Sequence, residues 1–412
     1  MPDPSSPSSP SCPDALIFDA IRTPRGRARA EGSLHEVKPV ALVAGLLAAL
    51  AERNRFDSAQ IEDVLIGCAT PVAEQGGGLA RAAVLAAGWD WMTTGLQIGR
   101  MSASGLDAVN LAAQKVRSGW EDLVVAGGVE SASRVPPGSD GGAWTIDPET
   151  SLNSNFLPAG IAADLLATLD GMSREELDAC ALASQQRAAA AEAAGRLARS
   201  RVPVVDGVGM TVLTSDEMRR PGTTAESLAA LKTAYQYVGE LGFDAVVLRR
   251  MPQIGAVRHV HTAGNCAGLA DGAALVLIGS AAKGAALGLV PRARVVATAQ
   301  GGSDPVLMLA GAPVAARKAL LKAGMQPGQI DLYEVEETHA AVVLRFLRKL
   351  EVPHERVNVN GGAIAMGHAP GASGAMLLTM LLDELEARGL RYGMAAEWAA
   401  AGMGCATIIE RL

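Results

Sequence analysis

The repeated alternation of strand-like and helix-like patterns is the feature that most constrains the fold of this 412-residue chain. Short apolar runs have the length and composition of strands that are buried on both faces, and residues 39–53 have apolar side chains at helical spacing. The strand-like runs lie at residues 15–18, 64–67, 122–128, 271–278, 293–298, 330–335 and 406–410. This order predicts an α/β fold built on βαβ units.

The same pattern indicates an internal duplication. The turn around Ser102 and the segment 361–374 each lead small residues into an alanine-rich helix, and each half of the chain ends in a similar strand. The predicted halves are residues 14–285 and 286–412.

Two segments interrupt this pattern. From about residue 137 to about residue 243, stretches rich in Gly, Pro, Asp and Ser surround a polar helix at 173–196, which predicts an inserted loop subdomain. Residues 1–13 are rich in Ser and Pro, and we expect them to form a disordered tail.

The composition narrows the class of protein. The chain is 49% hydrophobic, contains 46 glycines and is 3% aromatic, which suits closely packed helices on sheets. A net charge of −7 argues against nucleic acid as the main partner. We find no apolar run that could span a bilayer and no signal-peptide pattern, so we expect no membrane association. The 5 cysteines form neither a CxxC pair nor a metal-ligand spacing, which predicts reduced thiols in a cytoplasmic protein without a metal.

Ser102 is the first candidate for a catalytic residue. It lies in the run Ile-Gly-Arg-Met-Ser-Ala-Ser-Gly-Leu at 98–106, between an apolar stretch and a helical pattern, so we expect it on a tight strand-to-helix turn. Such a turn exposes a nucleophile, and the N–H groups at the start of the helix can hold a developing negative charge. The alternative is that Ser102 only caps the helix, since serine is a preferred N-cap residue.

Seven short motifs occur along the chain around this turn. They are Asp-Ala-Ile-Arg-Thr-Pro at 19–24, Glu-Gln-Gly-Gly at 74–77, Ala-Gly-Gly-Val-Glu-Ser-Ala-Ser-Arg-Val-Pro at 126–136, Thr-Ala-Gly-Asn-Cys-Ala-Gly at 262–268, Asp-Gly-Ala-Ala at 271–274, Asn-Val-Asn-Gly-Gly-Ala-Ile-Ala-Met-Gly-His at 358–368 and Gly-Met-Gly at 402–404. Together they resemble the thiolase family, and within it the acetyl-CoA acetyltransferase branch.

The resemblance implies both an architecture and a class of chemistry. The fold would consist of two βαβαβαββ halves in α/β/α/β/α layers, with the sheets back to back around central helices. The activity would be acyl transfer without a permanently bound cofactor, and the substrate would be a thioester of CoA or phosphopantetheine. The partner is then a small acyl thioester or an acyl carrier protein. The resemblance also implies at least a homodimer, with dimer and tetramer both open.

Three of the four residues that thiolases use for catalysis are changed here. In the family a cysteine carries the acyl group where this chain has Ser102, and a histidine in a Gly-His-Pro motif takes the thiol proton. That histidine corresponds to His368, which follows Gly367. The second family cysteine, which moves the substrate α-proton, corresponds to Trp398, whose indole has no ionisable proton near neutrality. Ala400 replaces a glycine whose backbone N–H belongs to an oxyanion site.

The family motif Asn-Glu-Ala-Phe reads Glu-Glu-Thr-His at 336–339. Glu336 replaces the asparagine, and a carboxylate facing His368 would orient the imidazole and stabilise its charged form. Because a serine hydroxyl needs a positioned base more than a thiol does, Ser102, His368 and Glu336 form the predicted catalytic triad. The alternative is a solvated Glu336 in a site that no longer reacts. His339 is either a second catalytic base or a polar wall residue.

Three positions bear on substrate binding. Residues 262–274 resemble the stretch along which thiolases bind the pantetheine arm. Ala267, followed by Gly268, stands where the family has a serine that hydrogen-bonds this arm, and Ala159 stands where it has a methionine or glutamine near the acyl pocket. These smaller residues weaken polar contacts and enlarge the pocket, which favours a larger or carrier-bound acyl group over acetyl-CoA.

Three functions are compatible with these residues, and we rank them in this order. The first is an acyltransferase that loads an acyl group onto Ser102 and passes it to an alcohol, amine, thiol or water. The second is a catalytically silent subunit that binds acyl-CoA or supports an active partner. The third is a Claisen condensation in which Glu336 or His339 replaces the lost cysteine.

Overall fold

The computed structural model describes residues 12–412, so the predicted tail at 1–13 lies almost entirely outside the described residues. The strands are β1 (Leu16–Arg22), β2 (Gly26–Arg27), β3 (Asp63–Gly67), β4 (Thr94–Ile98), β5 (Leu123–Ser131), β6 (Val204–Val205), β7 (Thr211–Leu213), β8 (Ala270–Gly279), β9 (Ala293–Gly302), β10 (Leu332–Val335), β11 (Tyr392–Ala399) and β12 (Met403–Arg411).

The helices surround these strands. They are α1 (Pro39–Asn54), α2 (Leu79–Ala86), α3 (Ser104–Ser118), α4 (Ala143–Ile146), α5 (Pro148–Asn153), α6 (Ala159–Leu169), α7 (Arg174–Ala193), α8 (Ala225–Ala229), α9 (Gln236–Val238), α10 (Asp244–Arg250), α11 (Ala281–Leu287), α12 (Gly311–Ala323), α13 (Ala340–Leu350), α14 (Ala363–Met366) and α15 (Ser373–Arg388). Short 3₁₀ or π turns lie at Ser58–Gln60, Ala73–Gln75, Gly239–Phe243, Pro252–Ile254, Pro305–Leu307, Pro327–Gln329 and His354–Arg356.

Local sequence explains where several helices begin and end. Pro39 opens α1, where its missing N–H costs nothing, and Ser173 forms a capping box with Glu176 at the start of α7. Gly119 ends α3 in the left-handed conformation that glycine adopts without strain. Strands β5 and β8 are buried along their whole length, as their nearly continuous apolar sequence predicts.

The central sheet contains one strand arrangement twice. Its order is β10-β11-β12-β9-β1-β8-β5-β3-β4, with β2 beside β8. In the first half, β3 is parallel to β4 and β5, and β8 is antiparallel to β5 and β1. In the second half, β10 is parallel to β11, and β12 is antiparallel to β11 and β9. A parallel bridge from Tyr333 to Val357 takes the place of β4.

This arrangement confirms the predicted fold of two βαβαβαββ halves. Helices α3 and α15 occupy equivalent places in the two halves and pack against each other, while α1 and α2 cover one half and α12 and α13 cover the other. All residues from Ser373 to Leu385 of α15 are buried, as expected of a helix in the middle layer. No helix within residues 12–412 has both the length and the apolarity needed to cross a bilayer. The bounds of the halves and the cytoplasmic location stay predictions.

The inserted stretch between β5 and β8 carries α4 to α10 and the β6–β7 pair. It continues past the predicted end near residue 243, because the chain after α10 packs back onto α6. There Asp164 is hydrogen-bonded to the His259 and His261 rings at 2.8 and 2.7 Å. A fully buried ion pair between Arg22 of β1 and Asp216, with N–O distances of 2.8 and 2.9 Å, ties the insertion to the sheet.

Glycines bring the Ser102 turn close to the His368 loop. A Cβ atom on Gly128 would lie 1.9 Å from the carbonyl oxygen of Gly371, and one on Gly105 would lie 2.6 Å from the same oxygen. The N–H of Gly371 donates to the buried Glu130 carboxylate at 2.8 Å. The loop after His368 therefore rests directly on β5 and on the first turn of α3, which begins just after Ser102.

We predict that Gly128→Ala destabilises the protein by about 3 kcal/mol or more, because the added methyl meets a backbone carbonyl that has no room to move. Gly45→Ala is the matched control. No atom lies within 4 Å of a Cβ at Gly45 in α1, so this change should stabilise the helix by up to about 1 kcal/mol. Chemical denaturation measures the free energy of unfolding of both variants. A Gly128→Ala variant as stable as the wild type would contradict the packing argument.

Candidate active site

Ser102 lies on the predicted turn between β4 and α3. The residue at the N-cap of α3 is Ala103, and the preceding Met101 has a positive φ of 49°. The hydroxyl that shapes the turn belongs to Ser104, which accepts the N–H of Arg100 at 2.8 Å and lies 2.6 Å from the Met101 carbonyl oxygen. Ser102 is therefore not occupied with capping, and its side chain lines a cavity of about 210 Å³.

The cavity has walls from three parts of the chain. The loop after β3 and the turn around Ser102 form one part, the inserted stretch forms another, and the second half of the chain supplies the rest. Its lining residues are Ala69, Thr70, Met101, Ser102, Pro137, Gly138, Asp140, Gly142, Trp144, Phe156, Met308, Pro370, Trp398 and Ala400.

His368 and Glu336 are in contact. The Nδ1 atom of His368 lies 3.2 Å from Glu336 Oε1 and 3.0 Å from Ser373 Oγ. The backbone of His368 is fixed on both sides, because its N–H donates to Gly268 and its carbonyl accepts from Ala270. A proton on Nδ1 shared with Glu336 leaves the lone pair of Nε2 free, and no described residue forms a hydrogen bond with that atom.

Glu336 is buried but remains ionised. Burial raises the pKa of a carboxyl group, but here the charge and hydrogen bond of His368 and the charge of Arg25 hold the pKa of Glu336 below its ordinary value. Arg25 is itself fully buried, and its pKa falls to about 10 through burial and the nearby Arg22. The ionised Glu336 carboxylate can therefore accept a hydrogen bond from Nδ1 of His368.

Trp398 lies against the histidine and lines the Ser102 cavity. Its indole N–H donates to Thr338 Oγ1 at 2.9 Å, and its ring faces that of His368 with centroids 6.4 Å apart and planes at 29°. Within the described residues no hydrogen bond joins Ser102 to His368, and His368 is not among the lining residues of the cavity. The structure thus brings His368 together with Glu336 and Ser102 together with Trp398.

His339 forms part of a chain of hydrogen bonds that starts at Trp398. Thr338 accepts the indole N–H, so its single hydroxyl proton can be donated to His339 Nδ1, 3.2 Å away. The other ring nitrogen, Nε2, lies 3.3 Å from the hydroxyl of Tyr235. Burial, followed by the charge of His261, lowers the pKa of His339 to about 3. The ring is therefore neutral at neutral pH with both nitrogens engaged, and a catalytic role for it stays a prediction.

Two buried residues near the site were missed by the sequence reasoning. Thr338 anchors Trp398, and Glu397 lies beside Glu336 because Val335 pairs with Ala396 in parallel register. Both carboxylate oxygens of Glu397 lack a partner in the described part of the chain. Burial and the charge of Glu336 raise the pKa of Glu397 well above its ordinary value, which favours its protonated form. The signal for Glu397 in the sequence was an acidic residue within the apolar pattern of β11.

The predicted substrate-binding residues surround the histidine loop. The chain at 266–269 passes between the two histidine segments, since Cys266 bridges to His339 and Leu269 bridges to His368. Ala267 donates its N–H to the Thr338 carbonyl, and Gly268 accepts from His368.

The remaining predicted positions lie at the ends of elements. Gly367 has a φ of 97°, Ala159 is the first residue of α6, and Ala400 follows β11 on the cavity wall. The roles of all these residues in binding or catalysis stay predictions.

A second cavity, of about 380 Å³, opens beside Gly268. Its lining residues include three arginines, which are Arg27, Arg29 and Arg220. This concentration of positive charge suits a ligand with several negative charges, such as phosphate groups.

Glu337, the neighbour of Glu336, holds the surrounding loops in place. It accepts hydrogen bonds from Ser184 Oγ at 2.5 Å and from the Ile364 N–H at 3.1 Å, and so connects α7 to the segment before His368. Burial raises the pKa of Glu337 to about 7, although these hydrogen bonds oppose the effect.

Comparison with known proteins relates this geometry to a family. A family model described as the thiolase N-terminal domain matches residues 15–242, and one described as the thiolase C-terminal domain matches residues 289–411. The chain is 39% identical over 422 residues to the 3-oxoadipyl-CoA/3-oxo-5,6-dehydrosuberyl-CoA thiolase of Escherichia coli strain K12, covering 97% of this chain and 100% of the relative. It is 36% identical over 409 residues to a 3-ketoacyl-CoA thiolase of Colwellia psychrerythraea, with 97% and 100% covered.

A solved structure is similar over the whole chain. The acetyl-CoA acetyltransferase of Bacillus anthracis superposes with a TM-score of 0.83 at 31% sequence identity, covering 98% of this chain and 100% of that one.

We predict that the Glu337 carboxyl destabilises the fold as the pH rises. Its pKa of about 7 exceeds that of an unfolded glutamate, so the folded state binds the proton more tightly. The stabilisation that protonated Glu337 gives to the folded state is complete below about pH 4 and is lost as the pH rises through about 7. The free energy of unfolding falls by about 3 kcal/mol in total over this range. The thermal stability of Glu337→Gln relative to wild type should therefore improve from pH 5 to pH 8. Glu52→Gln, at an exposed position of α1, is the control, and an equal difference for Glu337→Gln at both pH values would contradict the prediction.

Proposed function

Because this chain belongs to the thiolase family, we propose that it is an acyltransferase that takes an acyl group from a thioester onto Ser102. Its relatives are thiolases and an acetyl-CoA acetyltransferase, whose names identify CoA thioesters as their substrates. The observation that carries the proposal is the contact between Glu336 and His368 Nδ1, at 3.2 Å. It supplies the two members of a triad that a serine nucleophile needs.

The proposed reaction begins with proton transfer from Ser102 to His368. As the hydroxyl oxygen attacks the thioester carbonyl, its proton moves to Nε2, and Glu336 stabilises the imidazolium. The intermediate then expels the thiolate, which takes the proton from Nε2, and leaves an ester on Ser102. Water or another acceptor resolves this ester by the reverse proton movements. Catalytic hydrogen bonds often form only with substrate bound, so Ser102 and His368 need not be in contact beforehand.

We propose that backbone N–H groups of Ser102 and Ala400 stabilise the oxyanion. Both residues line the same cavity, and Ser102 lies near the positive end of the α3 dipole. Ala401 has a left-handed φ of 57°, so the turn after Ala400 keeps a conformation that glycine would favour.

We propose CoA as the carrier of the acyl group. The three arginines at 27, 29 and 220 can pair with its several phosphates, and Gly268 places this cavity next to the His368 segment. The pantetheine arm would then pass Ala267 and Gly268, while Ala159 belongs to the acyl end. A carrier protein, which offers one phosphodiester, makes less use of this charge.

Claisen condensation is less well supported than acyl transfer to serine. It needs a base for the α-proton of the donor, but the indole N–H of Trp398 is engaged with Thr338 and the pKa of His339 is about 3. Cys405 is buried, and burial together with the charge of Asp107 raises the pKa of its thiol. A second candidate is a silent subunit that binds acyl thioesters, which the position of Trp398 against His368 favours. A homodimer or tetramer also stays a prediction.

We predict that incubation with a panel of acyl-CoA thioesters adds one acyl mass to the intact protein, detected by mass spectrometry. Ser102→Ala should abolish the adduct, and Glu336→Gln should slow its formation by about 100-fold or more, because the imidazolium loses its counter-charge. Thr70→Ala, which removes the other hydroxyl on the cavity wall, should leave the adduct in place. An adduct that survives in Ser102→Ala would disprove the serine mechanism, and acyl-CoA binding without any adduct would favour the silent subunit.

A further inference from the structure

The cavity at Ser102 has an unusual concentration of aromatic residues. The whole chain contains 5 tryptophans, 4 tyrosines and 5 phenylalanines, yet two of the tryptophans and one phenylalanine line this small cavity. Trp144 and Phe156 are stacked, with ring centroids 5.7 Å apart and planes at 13°. Trp398 completes the aromatic lining. The cavity therefore offers a ligand aromatic surfaces that are scarce elsewhere in the chain.

The rest of the wall is apolar and suits a flat ring. Met308, which is buried, contributes a thioether, and Pro137 and Pro370 contribute rigid apolar faces. Aromatic rings pack favourably against other rings in offset or edge-on arrangements, and methionine sulfur also contacts ring edges well. Trp398 is held in one orientation by its hydrogen bond to Thr338, so this wall is formed before a ligand binds.

The charge of the cavity opposes a carboxylated acyl chain. Among its described lining residues there is no lysine, arginine or histidine, and the single charged residue is the exposed Asp140. A carboxylate at the far end of an acyl group would lose hydration without gaining a counter-charge. The name of one relative specifies a 3-oxoadipyl group, which ends in such a carboxylate, and the described lining of this cavity offers that group no counter-charge.

We propose that the acyl group is uncharged and carries one aromatic ring next to the thioester, as in a phenylacetyl thioester. The proposal rests on the function proposed above and specifies its substrate class. A volume of about 210 Å³ agrees with this size, since an apolar cavity of about 150 Å³ is large enough to bind benzene. Trp144 and Phe156 are then the residues that determine specificity, and Trp398 forms the third side of the ring site.

The test measures binding to the Ser102→Ala variant, which keeps the cavity and has no serine to acylate. Calorimetry compares phenylacetyl-CoA, acetyl-CoA and adipyl-CoA. Phenylacetyl-CoA should bind at least about 10-fold more tightly than either of the others, because only its ring fills the aromatic site without burying a charge. Comparable affinities, or tightest binding of adipyl-CoA, would overturn the proposal.

Substitutions of residues in the cavity wall test where the aromatic ring of the acyl group binds. In the Ser102→Ala background, Trp144→Ala and Phe156→Ala should each weaken phenylacetyl-CoA binding by about 10-fold and leave acetyl-CoA binding unchanged. Trp120→Ala, at a tryptophan that is 87% exposed, is the control and should change neither. Ala69→Leu narrows the cavity without removing an aromatic residue and should exclude phenylacetyl-CoA selectively. Unchanged discrimination in all three wall variants would overturn the assignment.

Intact-mass measurements on the wild type separate this inference from the proposed function. Selective binding of phenylacetyl-CoA without an acyl adduct would support the aromatic site and refute acylation of Ser102. If Ser102 is acylated and the reaction is fastest with acetyl-CoA, the result would support the proposed acyltransferase function and refute the aromatic site.

Discussion

The close approach of three backbone segments at Gly105, Gly128 and Gly371 is the constraint on which the site depends. The carbonyl of Gly371 occupies the space that side chains on Gly105 and Gly128 would fill, and Glu130 accepts the N–H of Gly371. This packing fixes the His368 loop from one half of the chain against the Ser102 turn of the other. The two halves can therefore build one site between them only while these positions carry no side chain.

Around this junction, polar side chains form two connected groups. Glu336 faces His368, while Trp398, Thr338 and His339 form one hydrogen-bonded chain that ends at Tyr235. Each of these side chains therefore contacts another member of its group through a hydrogen bond or an ion pair. Burial and the charge of Glu336 raise the pKa of Glu397, and its protonated form adds a second carboxyl group to this buried region without a second negative charge.

The sequence predicted the duplicated fold well, because buried strands and helices of the two halves leave separate periodic signals along the chain. The sequence left two interpretations of Glu336 open, a carboxylate facing His368 and a solvated carboxylate, and the structure places Glu336 Oε1 3.2 Å from His368 Nδ1. Thr338 and Glu397 were not predicted, because their roles depend on the parallel register of β10 and β11, whose residues are about 60 positions apart. The aromatic cavity was missed for a similar reason. Trp144 and Phe156 belong to an insertion whose path over Ser102 has no periodic signal.

We propose that residue 102 and the Glu336–His368 pair act as one unit. The most direct measurement is the pH dependence of alkylation of a Ser102→Cys variant by iodoacetamide. If the free Nε2 of His368 serves residue 102, the new thiol should react as a thiolate with an apparent pKa well below the ordinary value of about 8.5, and adding Glu336→Gln should raise that pKa. A thiol that titrates near 8.5 with Glu336 either present or replaced would contradict the account.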